Sequence, residues 1–350
     1  LAQTFDAASA AAEIERLCQP DLAGRKAGSP GGQRTAEYLA GRFAELGLQP
    51  AGEAGSYWQE FEVPLVELAG APHLTLTAAS GEQFVASLRQ HFLPIASAYT
   101  GSGVGDGRAI WVSDGTHDDY DGIDATGAVV ICRYTGNDEV YRQAAEHGVG
   151  ALLVMREDVG ELWRGRVADD TSWISETIPA AFVTPEVVSF MLADAGLTLD
   201  DLTIQYTPLP LPGRATLEVS MRQEERACAR NVLGLLPGRN PEKARELVVI
   251  GAHYDHLGSD PGGASFPGAN DDASGVSVLL EIARCWQAAG FLPERSVLFA
   301  AWDAEELGQL GSRHYVKHPL WPLTATVAML QLDAVGAGGE PVLEVDGRGA

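Results

Sequence analysis

Three apolar runs of strand length in the second half of this 350-residue chain end at once in metal-ligand residues. Leu247 to Ile250 leads to His253-Tyr254-Asp255, Ser296 to Ala301 leads to Asp303 and Glu305-Glu306, and Val327 to Leu332 leads to Asp333. In an open α/β sheet the carboxyl ends of parallel strands face one crevice, so three such strands would bring their terminal side chains together. A fourth contribution, Asp271-Asp272 in GANDDASG, opens a helical stretch. One imidazole and several carboxylates in one crevice describe a site for divalent cations, zinc above all, and for more than one ion.

Composition narrows the partners. With 45% hydrophobic and 21% charged residues the chain can bury a large core, and its length suits two domains. The formal charge of −24 repels phosphate backbones and argues against nucleic acid. No apolar run approaches the length of a membrane span. Cys18, Cys132, Cys228 and Cys285 lie far apart with no CxxC, so the expectation is buried thiols rather than a thiolate zinc site. The chain begins at Leu1 without the basic start and apolar centre of a signal peptide, which leaves a removed leader or a piece of something longer as the expectation.

Patterning divides the chain into three parts. In 1–89, Ser29-Pro30 precedes a helix in which Ala36, Leu39, Phe43 and Leu46 recur at helical spacing and Gly47 supplies the stop. The runs Trp58 to Leu68 and His73 to Ala79 alternate as an antiparallel pair would. The middle part, 90–210, holds short β-prone runs at Ala109 to Val112, Ala128 to Arg133, Gly150 to Met155 and Ala180 to Thr184, with helices at EVYRQAAEHG and at Thr184 to Ala195. Pro208, Pro210 and Pro212 suit a stiff connector closing that inserted domain. The third part, 211–350, alternates strands with helices at Gly275 to Ala288 and near Ser312 to Val316. The expected fold class is α/β, a mostly parallel sheet with helices on both faces and a small β-rich α/β insert.

At this point the residues resemble a known family. HYDH, GANDDASG, AAWDAEELGQLGS and QLDAVG, with the upstream LAGRKAGSPGGQRTAEYLAGRFAELGLQP and ARNVLGLLPG, resemble in order and spacing the M28 family of zinc aminopeptidases. DYDGIDATGAVVICRY, AAEHGVGALLV and IPAAFVTPEVV look like the protease-associated (PA) domain that many members carry as an insert. Any one motif is weak; the ordered set is specific.

The resemblance implies a zinc-exopeptidase fold, peptide substrates, two zinc ions per complete enzyme and a secreted or periplasmic location. His253 would bind one zinc, with Asp255 accepting the other ring N–H. Asp271 would bridge both ions, Glu306 would complete the His253 zinc and Asp333 would serve the other. Glu305 would take the proton from a metal-bound water and pass it to the leaving amine. Spacing alone does not choose between Asp271 and Asp272, and Glu305-Glu306 could equally be an acidic first turn favoured by the helix dipole. His256, His314 and His318 read as exposed helix or loop histidines, and His73, His91, His117 and His147 receive no role.

One departure stands out. The family's second zinc takes a further histidine well beyond the Asp strand, and none of Glu340 to Ala350 is a histidine. The expectation is a chain truncated before that ligand, holding at most one zinc tightly. Other readings on the same scaffold are a single-zinc acyltransferase of the glutaminyl cyclase type, a non-catalytic binding protein, and a carboxypeptidase branch.

Overall fold

The computed structural model describes residues 5–158, 178–261 and 263–336. The chain divides into two compact units, one of Leu1–Leu65, Glu225–Ser259 and Ser265–Ala350, the other of Val66–Glu224 with Asp260–Ala264.

The first unit is built on helices α1 (Ala7–Leu17), α2 (Pro30–Glu45), α3 (Ser274–Ala288) and α4 (Leu310–Lys317). Its strands are β1 (Trp58–Leu68), β2 (Met221–Leu236), β3 (Leu247–His253), β4 (Ser296–Trp302) and β5 (Thr326–Gln331). The sheet runs from Gln49–Pro50 through β2, β4 and β3 to β5, and β1 also pairs with β2. β4, β3 and β5 are mutually parallel, whereas β2 is antiparallel to β4. The three runs that announced the site are therefore the parallel ones.

Register then sets the site. Leu247 pairs with Ser296 and His253 with Trp302, so β3 and β4 end level with one another. Alternate side chains fill opposite faces. Ile250, Ala252, Phe299 and Ala301 pack with Leu39 and Phe43 of α2 and Val276 and Leu279 of α3. Leu247, Val249, Leu298 and Ala300 pack on the other face with Tyr315 of α4. Burial on both faces explains why these strands read as continuous apolar runs rather than alternating ones. Each fully buried aliphatic side chain contributes about 1.5–3 kcal/mol. α2 begins as its sequence indicates, with Ser29 Oγ accepting from Gly32 N at 3.2 Å and Pro30 opening the first turn.

The second unit carries an eight-stranded sheet in the order Gln83–Ala86, His73–Thr77, Leu209–Val219, Gly103–Trp111, Val129–Arg133, Ala151–Met155, Ala180–Val183, Phe92–Pro94. The four strands from Gly103–Trp111 to Ala180–Val183 are parallel. Trp111, Ile131 and Leu153 face one core, and Ile110, Val130 and Leu152 face another.

Three expectations about local structure are corrected. β1 does not pair with His73–Thr77, because β1 is taken by β2 and His73–Thr77 by Gln83–Ala86 and Leu209–Val219. Pro208, Pro210 and Pro212 do not form a connector. Leu209 to Leu211 pair with Trp111 to Ala109, and Pro212 and Gly213 fall where the register shifts, with Gly213 at φ +120°. A bulge of this kind accommodates prolines that a regular ladder would reject. The second unit also spans more than 90–210, since His73–Thr77, Gln83–Ala86 and Leu209–Val219 all belong to its sheet. All four cysteines are free thiols, Cys132 and Cys285 buried. Among the described residues no helix is long and apolar enough to cross a membrane.

Candidate metal centre

His253, last residue of β3, is 1% exposed. Its Nε2 lies 3.0 Å from Asp271 Oδ1 and 3.7 Å from Asp333 Oδ1. These three form one donor group whose ligand atoms lie within 4.8 Å of one another, and a second group of the same tightness consists of His256, Asp271 and Glu306. Asp271 is common to both. Each group offers one imidazole and two carboxylates, a donor set that suits zinc.

The two neighbouring aspartates differ in kind. Asp271 is half exposed and turned to His253. Asp272 is fully buried, its Oδ2 accepting from His253 N at 3.2 Å and its Oδ1 from Gly275 N at 2.9 Å and Ala334 N at 3.1 Å. It thus ties the end of β3, the start of α3 and the residue after Asp333 together. Burial pushes its pKa up to about 7, against the opposing pull of His253.

Asp255 does more than the sequence indicated. Its carboxylate accepts from the backbone N–H groups of Glu305 at 2.9 Å and Glu306 at 3.2 Å, fixing the turn that carries both glutamates. Ring Nδ1 of His253 lies 3.2 Å from the Asp255 carbonyl oxygen and 3.6 Å from its Oδ1, so the main-chain carbonyl, not the carboxylate, is the nearer partner. Asp303 is a second support. Its Oδ2 accepts from the Tyr254 hydroxyl at 2.7 Å and Arg230 N at 3.0 Å, and burial pushes its pKa up to about 7.

The electrostatics call for a cation. Burial alone would lower the His253 pKa, yet Asp255, Asp272 and Glu305 outweigh it and raise it to about 10. Glu305 is held above the ordinary glutamate value by burial first and by Asp255, Glu306 and Asp333 after it, with His253 opposing. A divalent ion would neutralise such a crowd of carboxylates without the proton that His253 otherwise takes up. Glu305 belongs to neither donor group. It lines a cleft of about 180 Å³ with Trp302, Gln309, Ser312, Met329, Gln331 and Asp333.

The arrangement departs from the sequence reading in two respects. The partner of His253 is Asp333, and Glu306 sits instead with His256. His256 is not an exposed loop histidine, its side chain being 14% exposed. His318 is exposed; His314 is half-buried, stacked on Phe61 with ring centroids 5.2 Å apart.

Arg25 was missed altogether. This guanidinium is fully buried. Nε donates to Tyr254 O at 2.7 Å, Nη1 to Leu17 O at 2.8 Å and to Pro267 O, and Nη2 to Gly268 O at 2.9 Å. It holds both ends of the loop between His253 and Asp271. An isolated arginine without periodic context carries no local signal of such a role.

Comparison with known proteins agrees with this picture. The model of Peptidase family M28 matches residues 231–349, the span that holds every residue of both donor groups. Through that region, about a third of the chain, the sequence is similar to peptidase family M28. It is 25% identical to a probable glutamate carboxypeptidase of Arabidopsis thaliana, over 91% of this chain and 50% of that protein. It is 36% identical to the aminopeptidase YwaD of Bacillus subtilis over 33% of this chain and 24% of that one. The chain spans about half the length of the curated relatives it matches most extensively. Among solved structures, the aminopeptidase from Aneurinibacillus sp. strain AM-1 shares the fold, with a TM-score of 0.61 at 23% identity over 95% of this chain and 71% of that one.

Proposed function

We propose that this chain carries the metal centre of a two-zinc exopeptidase that removes amino-terminal residues from peptides. One observation carries the reading: two imidazole-carboxylate groups share Asp271, and Glu305 stands beside Glu306 in the adjoining cleft without belonging to either group. His253, Asp271 and Asp333 would hold one zinc and Asp271 with Glu306 the other. Zinc bound there would supply Lewis acidity, acidifying water and polarising the scissile carbonyl.

The protein's own residues do the remaining work. Asp255 anchors the Glu305 backbone, so its carboxylate is aimed by a fixed turn rather than a free loop. Burial and neighbouring carboxylates raise its proton affinity, which suits a group that takes a proton from water and delivers it to the departing amine. The cleft beside it, walled by Trp302 and Met329, offers space for an apolar side chain of the substrate. The second unit is read as a protease-associated domain that supplies no metal ligand and orients longer substrates.

Glu305→Gln in the full-length protein tests this. Zinc content should stay unchanged while turnover of aminoacyl-nitroanilides falls by about 100-fold to 10,000-fold. Loss of zinc from Glu305→Gln would exchange the roles of Glu305 and Glu306. A carboxypeptidase reading is favoured by the names of several relatives, such as the probable glutamate carboxypeptidase of Zea mays. Hydrolysis of N-acyl dipeptides in preference to free-amino peptides would select it.

A further inference from the structure

We propose that His314 and His318, at the carboxyl end of α4, form a peripheral site for a late first-row transition-metal ion, separate from both donor groups of the metal centre. The proposal does not rest on the two-zinc reading, since neither imidazole belongs to those groups.

Geometry comes first. Residues four apart on a helix share one face, with Cβ atoms about 5–6 Å apart, close enough for two imidazoles to reach one ion. Here the ring centroids lie 4.7 Å apart and the ring planes are tilted by 36°. Imidazole nitrogens about 2.0–2.1 Å from one ion, at octahedral or tetrahedral angles, place the ring centroids roughly 4.5–5.2 Å apart. The observed separation falls within that range.

Both histidines are also held in place. His314 stacks on Phe61 of β1, with centroids 5.2 Å apart. The His318 carbonyl accepts from Gln59 Nε2 at 2.7 Å, and Gln59 is itself buried and accepts from Asn231 Nδ2 at 3.1 Å. His318 N donates to His314 O at 2.8 Å, so a single helical hydrogen bond links the two donors. Anchored ligands lose little freedom when an ion binds.

The donor type selects the ion. Two neutral imidazoles, with water in the remaining positions, suit copper, nickel or zinc, whereas magnesium and calcium prefer oxygen. Burial and then the neighbouring His318 hold the His314 pKa below the ordinary histidine value, with Lys317 acting in the same direction and Glu53 opposing. The ring is therefore neutral near pH 7, the form that ligates. His318 is exposed, whereas His253 is 1% exposed, so a metal ion from bulk solvent reaches the pair directly. An ion bound there would bridge the last turn of α4, the helix that follows Glu305 and Glu306.

The experiment passes the untagged full chain over a nickel-chelate resin, with His318→Gln, His314→Gln, His147→Gln and His253→Ala alongside. Wild-type protein should be retained until imidazole is added. His147→Gln, which breaks the other close pair, His117 and His147 at 5.7 Å, should be retained equally, as should His253→Ala. His314→Gln and His318→Gln should lose retention, because a chelating pair binds about 100-fold or more tighter than either member alone. His314 packs on Phe61, so the exposed His318 is the deciding variant. Amide exchange supplies a second readout on the wild-type protein. Free nickel at about ten times its dissociation constant should slow exchange of the His318 amide about tenfold, and magnesium should not. Retention unchanged in His318→Gln, retention lost in His147→Gln, or a His318 amide indifferent to nickel would overturn the proposal, and each would leave the two-zinc reading untouched.

Discussion

In the first unit the parallel strands β3, β4 and β5 run directly into His253, Asp303 and Asp333. In the second unit four parallel strands end at Trp111, Arg133, Met155 and Val183. Both sheets present alternate apolar residues to a core on each face. The shared architecture therefore does not make a site. The side chains at the strand ends do, together with the environment that the strand ends create.

The carboxylates sharpen the contrast. At the strand ends of the first unit Asp272, Asp303 and Glu305 are raised by burial, whereas Glu281 and Glu294 elsewhere in that unit are lowered by hydrogen bonds. The shifted carboxylates of the second unit among the described residues, Asp124, Glu139 and Asp201, are lowered by hydrogen bonds. Carboxylates lowered in this way favour the charged form in the folded state. Raised ones are held against their preference, as functional sites require.

The largest predicted effect falls on the shared ligand. Asp271→Ala should weaken both zinc equivalents by more than about 100-fold and abolish peptidase turnover, because each donor group loses a member. Met155→Leu at a strand end of the second unit should leave zinc titration unchanged. Equal effects from the two would erase the distinction between the units.

Arg25→Met should come next. Removing the guanidinium leaves the carbonyls of Tyr254, Leu17, Pro267 and Gly268 without their donor. At about 1–3 kcal/mol for each unsatisfied group, with partial relief from water, a loss of roughly 3–5 kcal/mol is expected in urea unfolding. A loss under 1 kcal/mol would show that the loop between His253 and Asp271 is held by other means.

A smaller effect follows from pH. Asp272 and Asp303 have folded-state values raised to about 7, so the folded protein binds more protons than the unfolded chain between the ordinary carboxylate range and that value. His253, raised to about 10, extends the same sign upward from the ordinary histidine value. Stability contributed by these protons is present at low pH and lost as pH rises through each folded value. Without zinc, the stability of the first unit should fall from about pH 4 to about pH 10, and Asp303→Asn should flatten the lower half of that slope. With zinc the trend should weaken or reverse, since the metal displaces the His253 proton. Metal-free stability that rises with pH through this window would contradict the assignment.

What the sequence disclosed follows the range of the forces involved. Strands expected at Leu247 to Ile250, Ser296 to Ala301 and Val327 to Leu332 are found at Leu247–His253, Ser296–Trp302 and Thr326–Gln331, because a doubly buried strand is a local apolar run. His253, Glu306 and Asp333 stood out by lying beside such runs, and Asp271 through the resemblance, since spacing alone does not choose between it and Asp272. Their grouping did not, because it depends on which way each side chain leaves the sheet edge. His256 was passed over for the same reason, since its burial depends on Gly268 and Arg25 rather than on its own neighbours. Arg25 meets Tyr254 across 229 positions of sequence, which no periodicity registers. The partner of β1 was misread because alternation identifies a strand and says nothing of its neighbour.

The smallest predicted effect is a control on the whole contrast. Arg142 in the helix Glu139–Glu146 of the second unit pairs with Glu139 and Glu146, all three side chains between 38% and 52% exposed. Pairs in that setting are screened by water and salt and hold two flexible side chains in place for little gain. Arg142→Ala should therefore leave the urea midpoint within experimental error, at low and at high salt. It should leave both zinc affinities and the pH dependence of stability untouched as well, since every residue of the two donor groups lies in the first unit. A change in zinc affinity from this substitution would mean that charge in the second unit reaches the metal centre, and the division of labour drawn from the strand ends would fail.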